Sequence, residues 1–194
     1  MVQFFKDENV LVLGSAPCVQ NVPADDVNWF DVIVRLNNYK FFNSCQRVDV
    51  WYSHFGTTIK KDMDAVRRDN PNFLMINYLP EGFGSIYQTR QMWKDAFPYY
   101  KQTHADFTSN FETVGATPTI GIAAILDIVR CNPSNLFIAG YDFFSSWMHN
   151  IDEPWFPSEA NGADHHAERV LVDEMLMTSR IETKPGWIEC ARTQ

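Results

Sequence analysis

Five short apolar runs, each closed by glycine or a polar residue, constrain this chain more than any other feature of its sequence. Val10, Leu11, Val12 and Leu13 stop at Gly14, and the run at 31–36 ends at Asn37 and Asn38. The stretch 48–52 is followed by Ser53 and His54, and the stretches 73–77 and 136–140 repeat the pattern, the last closing on Gly140. Apolar runs without alternation belong to strands covered on both faces, and parallel sheets are built from such strands. Polar groups and glycine just past the carboxyl ends stand where open α/β sheets bind ligands. The pattern predicts a Rossmann-like, three-layer α/β domain with a mostly parallel sheet.

Between the strands the helical signals grow stronger toward the carboxyl half. Ile59, Met63 and Val66 predict an amphipathic helix over 58–68. The aromatic stretch 82–112 reads as irregular, with a helix at 86–97. Thr117 as N-cap and Pro118 at the first helical position open a nearly all-apolar helix to Arg130, which must lie against the sheet. A last helix is expected over 164–180, with Val170, Leu171, Met175 and Leu176 as its apolar stripe. The stretch 187–190 reads as a short edge strand. Residues 145–163, with Pro154 and Pro157 and no periodicity, read as a long lid loop.

Composition narrows the function. A chain of 194 residues, 45% hydrophobic and 21% charged, suits one domain over 1–194 rather than two. Fifteen Phe, seven Tyr and six Trp exceed what one core needs, so some rings are expected around a cleft. A net charge of -8 argues against broad binding to nucleic acid or anionic membrane. Cys18, Cys45, Cys131 and Cys190 are scattered, which predicts reduced thiols rather than a zinc site or disulfide framework. Apolar runs much shorter than the ~20 residues that cross a bilayer, and charged residues Lys6, Asp7 and Glu8 near the start, lead us to expect no membrane span and a cytoplasmic protein.

The turn at Gly14, Ser15, Ala16 and Pro17 occupies the place of a phosphate loop, though it is neither GxGxxG nor a P-loop. By itself it is equally well a plain turn, as is the pair Asn37 and Asn38. Taken in order, Val-Leu-Gly-Ser-Ala-Pro (12–17), Val-Arg-Leu-Asn-Asn-Tyr (34–39), Asp-Val-Trp-Tyr-Ser (49–53), Thr-Pro-Thr-Ile-Gly-Ile-Ala-Ala-Ile (117–125), Ala-Gly-Tyr-Asp-Phe-Phe (139–144) and a His-initiated helix resemble the sialyltransferase-like families, bacterial and animal. The resemblance spans nearly the whole chain.

That resemblance implies an inverting, metal-independent glycosyltransferase that takes a sialic-acid-like sugar from a CMP-activated donor and needs no cofactor. The donor would lie across the carboxyl ends of the first, second and fifth strands, held by Gly14, Ser15, Asn37 and Asn38. An Asn offers donors and an acceptor together, which suits a cytosine edge or sugar hydroxyls. Ser53 stands where the bacterial group often has another Asn. Thr117, Thr119 and Gly121 match the Ser/Thr-Gly segment at a helix start, whose free amides and dipole suit the donor phosphate. Gly140 and Asp142 match the Gly-x-Asp-Phe strand end. Bacterial relatives follow that Phe with Tyr, but this chain has Phe144, so His149 or Ser146 becomes the candidate leaving-group contact.

For catalysis, the stretch Asp164, His165, His166, Ala167 and Glu168 supplies a base. A neutral imidazole is suited to take the acceptor hydroxyl proton. His165 and Glu168 are three apart, so on a helix they share a face and the carboxylate holds the ring in one tautomer. Two adjacent histidines are also ordinary solvated helix-start residues. The families space His and Glu more widely, which leaves His166 as the alternative to His165. Asp62 and Asp64 have the DxD form of metal-dependent transferases, but Lys60, Lys61, Arg67 and Arg68 flank them as on a solvated helix face. Asp164, His165, His166 and Glu159 lack a second ligand group at defined spacing, so no metal site is expected. The acceptor is expected to be a glycan or other hydroxyl compound. Two alternatives keep the fold: transfer to a modified nucleobase in DNA, and a nucleotide-binding module without chemistry.

Overall fold

The computed structural model describes residues 2–14, 16–36, 47–53, 74–77, 99–101, 104–141 and 164–188. Its strands are β1 (Asn9–Leu13), β2 (Val32–Leu36), β3 (Val50–Ser53), β4 (Leu74–Asn77), β5 (Tyr99–Lys101) and β6 (Asn135–Ala139). Its α-helices are α1 (Val2–Phe5), α2 (Ala24–Val27), α3 (His104–Val114), α4 (Ile120–Arg130) and α5 (His165–Met177), with a 3-10 turn at Pro17–Asn21. The strands form one sheet in the order β5-β4-β3-β2-β1-β6, and every neighbouring pair is parallel. The α/β class and the strands expected near 10–13, 31–36, 48–52, 73–77 and 136–140 are all present.

The sheet divides two packed layers. Val10, Val12, Val34, Val50 and Tyr52 face the apolar side of α4, Val172 and Met175 of α5, and Phe5 of α1. Leu11, Leu13, Ile33 and Ala139 face Val19, Val22, Val27, Phe30 and Trp187. A strand between two such layers has no solvent face, which is why β1 and β2 read as continuous apolar runs. Helix α4 is buried from Ile122 through Ile128, as its composition demands.

One charged residue of α4 is buried with the rest. Asp127 accepts from Asn110 Nδ2 of α3 at 3.0 Å and pairs with Arg130, whose Nη1 also donates to Asn110 Oδ1 at 2.7 Å. Tyr52 of β3 donates to the other Asp127 oxygen at 3.5 Å, and Cys131 Sγ donates to the Asp127 carbonyl. Burial, and then the Asp127 charge, push both the Tyr52 phenol and the Cys131 thiol upward, so both stay protonated as donors. Cys18 is likewise a buried thiol.

Several sequence expectations are corrected. Helix α4 is capped by Thr119, whose side chain accepts from Ile122 N at 3.4 Å, not by Thr117. Pro118 therefore precedes the cap, and the residue before a proline is disfavoured in helix, so 117 stays outside. Part of the stretch read as irregular, 82–112, is strand β5 and helix α3. The buried positions of α3, Phe107, Asn110 and Val114, include a polar side chain, which broke the apolar stripe. The edge beside β6 is met at Glu182; of the strand expected at 187–190, Trp187 and Ile188 are not in strand and 189–190 lie outside the described residues. Glu182 exchanges backbone hydrogen bonds with Leu136 and Ile138, and Trp187 O then accepts from Gly140 N at 2.7 Å. Between them Pro185 lacks an N–H and Gly186 takes φ +79, so the chain cannot run on as a ladder. The helices expected at 58–68 and 86–97 and the lid loop at 145–163 lie outside the described residues. Among the described residues, no helix is long and apolar enough to cross a membrane.

Candidate active site

Strand order fixes where a site can lie. From β1 the sheet grows outward through β2 to β5, and the chain then returns to the other flank of β1 with β6. The reversal lies between β1 and β6, and ligands of open α/β sheets bind outside the carboxyl ends of strands at such a reversal.

At that point two glycines meet. Gly14 N donates to Ala139 O at 2.8 Å and Ala16 N to Gly140 O at 2.9 Å, which draws the loop after β1 flat against the end of β6. A Cβ on Gly14 would stand 2.3 Å from Gly140 O, inside any permissible contact. Gly140 needs its glycine twice over, for φ +73 and because a Cβ would meet Val19 Cβ at 2.8 Å. Tyr141, directly after this turn, folds back and is buried against the start of α4, its hydroxyl donating to Gly121 O at 3.3 Å.

The amino ends of α4 and α5 join at the same place. Glu168, buried on the first turn of α5, accepts from Thr119 N at 2.6 Å and from Thr119 Oγ1 at 3.2 Å. Its Oε2 lies 3.5 Å from Nδ1 of His165. Asp164 caps α5 by accepting from Ala167 N at 2.9 Å, which fixes the turn that carries His165. Burial pushes the Glu168 carboxyl above its usual range, opposed by the Thr119 hydrogen bonds and by His165. Burial first, and then Glu168, push the Tyr141 phenol well above its usual value, so it remains a donor.

The structure thus brings Gly14, Thr119, Gly121, Gly140, His165 and Glu168 into one neighbourhood at the carboxyl end of the sheet. His165 is half-buried and turned to Glu168, whereas His166 is exposed. Thr117 is half-buried in the approach to α4. Ser53 ends β3, fully buried and in register with Asn77. Ser15, Asn37, Asn38, Asp142, Ser146 and His149 lie outside the described residues, as do Asp62, Asp64 and Glu159. Thr119 serves a role beyond the one expected of it: its amide is occupied by an anion of the chain itself, Glu168. In the first turn, Ile120, Gly121 and Ile122 have no helix carbonyl to donate to, and of these Ile122 N donates to Thr119 Oγ1.

Sequence reasoning missed Tyr141 and the link from Thr119 to Glu168. The link joins residues 49 apart and leaves no local signal. Tyr141 sat within a quoted motif, and the signal that could have found it is the lack of side chains at 14 and 121. Among the described residues, no three His, Cys, Asp or Glu side chains form a metal-ligand set.

No family model matches the chain, and no curated protein matches it in sequence. Solved structures do resemble it. One is a mammalian sialyltransferase, at TM-score 0.61 and 10% identity over 91% of this chain and 68% of that one. Another is a mammalian sialyltransferase in complex with Gal-beta-1-3GalNAc-ortho-nitrophenol, at TM-score 0.60 and 9% identity over 90% and 68%. At such identity the likeness is one of fold.

Proposed function

We propose that this chain is an inverting, metal-independent glycosyltransferase that moves a sialic-acid-like sugar from a CMP-activated donor to the hydroxyl of a glycan or other acceptor. One observation carries the reading: the His165 and Glu168 pair stands at the order reversal of a parallel sheet, in a fold shared with sialyltransferases. A glycosyltransferase of this type needs a base beside the bound donor, and this is where the base stands.

His165 Nδ1 faces the carboxylate, and Nε2, on the opposite side of the ring, is the nitrogen that takes the acceptor proton in this reading. The proton passes to Nε2 as the acceptor oxygen bonds to the anomeric carbon. The bond from that carbon to the donor phosphate breaks on the opposite face, and CMP departs with the electron pair. Glu168 then sits beside the new imidazolium and stabilises it. The loop of Gly14 and Ser15, with Asn37, Asn38 and Ser53, takes the nucleotide and sugar. Because Glu168 holds the Thr119 amide, the departing phosphate is left to the Ile120 and Gly121 amides, with Asp142 and His149 nearby in sequence to Tyr141.

Thermal shift against CMP, CDP, UMP, UDP, GDP and NAD tests the donor, since selective binding to the folded chain raises its melting temperature. CMP alone, or CMP and CDP, should shift it. Transfer from CMP-sialic acid should then fall sharply in His165→Ala with CMP binding kept. CMP binding without turnover in the wild type would mark a nucleotide-binding module instead, and retention on DNA at low salt would point to a nucleobase acceptor.

A further inference from the structure

Neither Gly14 nor Gly121 has the positive φ that usually calls for glycine, in contrast to Gly115, Gly140 and Gly186. Both lack a side chain for reasons of space, and one ring accounts for part of that space at each. A Cβ on Gly121 would stand 2.7 Å from Tyr141 Cε1, and a Cβ on Gly14 would stand 3.2 Å from Tyr141 Cδ2. The ring is therefore wedged between the loop after β1 and the first turn of α4. Its hydroxyl is tied to Gly121 O at 3.3 Å, and Glu168 is close enough for its charge to act on the phenol. Two segments that carry the proposed chemistry flank this single side chain, and the charge of a third, at Glu168, acts on its phenol.

We propose that Tyr141 is a positioning residue: its ring sets the spacing between the loop at Gly14 and the α4–α5 junction that holds Glu168 and His165. The proposal deepens the glycosyltransferase reading, in which the first segment holds the donor and the second the proton acceptor. A displacement of about an ångström between such groups costs about a hundredfold in rate without a matching loss in binding. The aromatic body is what spaces the segments, and the hydroxyl only pins it, so phenylalanine should substitute well.

The test uses Tyr141→Leu, Tyr141→Phe and Gly121→Ala in the full chain, with folding verified by circular dichroism. Gly121→Ala pushes the ring where Tyr141→Leu shrinks it, so one of them reports even if the other folds poorly. The first readout needs no activity: the His165 ring signal in a proton–carbon spectrum of histidine-labelled protein, identified by its loss in His165→Ala. It should move in Tyr141→Leu and in Gly121→Ala, and hold its place in Tyr141→Phe. The second readout is kinetic. Tyr141→Leu should lower kcat about a hundredfold with CMP Kd changed less than about threefold, and Tyr141→Phe should restore kcat to within about threefold. An unmoved His165 signal, or full kcat in Tyr141→Leu, overturns the proposal. A wild type that fails to transfer sugar while the His165 signal moves as expected would instead sink the glycosyltransferase reading and leave the spacing role standing.

Discussion

Helix α4 carries a buried carboxylate against each of its ends, and the two are held in opposite ways. Toward its last turn, Asp127 is met by Asn110, Tyr52 and Arg130, side chains from three elements. Here the Arg130 guanidinium is a planar fork that donates to Asp127 and Asn110 together. Before the first turn, Glu168 is met by a backbone amide, a threonine hydroxyl and a histidine. Among the described contacts no guanidinium meets this carboxylate, and the ring that does is an imidazole. The contrast separates a carboxylate that ties α3, α4 and β3 together from one that joins the starts of α4 and α5 beside His165, the pair proposed above to handle the proton. Burial alone distinguishes nothing, since both are inside.

The comparison breaks most visibly at the histidine. His165→Ala should reduce sugar transfer by about 10²–10⁴-fold, the usual contribution of a general base, with melting almost unchanged because the ring is partly exposed. Comparable turnover in that variant would remove the proton-moving role from the Glu168 end. At the other end, Asp127→Ala should cost about 3 kcal/mol in urea unfolding, because Asn110 and Arg130 lose their shared acceptor, while CMP affinity stays unchanged. A neutral result there would mean the cluster does not fasten the helices. Thr119→Ala should be milder, about 1 kcal/mol in melting, since it removes a cap but leaves the amide that Glu168 accepts from.

The smallest effect sharpens the contrast through pH. The folded-state pKa of Glu168 is raised, so the folded state disfavours its ionised form. Its stabilising contribution is full below the pKa of an unfolded glutamate and is lost as pH rises through the raised folded value. Relative to Glu168→Gln, the wild type should thus lose stability across that window. Urea midpoints taken at several pH values in both proteins give the difference directly, and a wild type that gains stability over Glu168→Gln as pH rises would contradict the assignment.

Much of the fold was legible because its strands leave no alternation to misread. Runs such as Val10, Leu11, Val12 and Leu13 have no polar face because both faces are covered, and their ends lie at the carboxyl edge of the sheet where the candidate site was sought. Helix α5 was legible through its apolar spacing, although Val172 and Met175 are its buried apolar positions and Val170 is exposed. Helix α3 was not, because Asn110 occupies a core position that only Asp127 and Arg130 make habitable. The cap of α4 was read at Thr117 but stands at Thr119, after Pro118, and the bonds that tie Thr119 to Glu168, far along the chain, left no local signal. Of the candidate site, the His165 and Glu168 pairing followed from helical spacing. The ring of Tyr141 did not, because a space left by glycine is visible only once the segments are folded together.

The irregular segment from Glu182 to Trp187 has a consequence for the molecule among its neighbours. An outer strand with open amides and carbonyls is a template on which another chain can add its own strand. Here Glu182 takes the ladder positions of Leu136 and Ile138, Thr183 donates to Ile138 O, and Trp187 receives the last amide at Gly140. A proline and a left-handed glycine in the covering segment make it a poor surface for further pairing. The sheet is therefore capped against growth by intermolecular stacking on its β6 side, and a chain cut short before residue 182 should aggregate where the intact one stays dispersed.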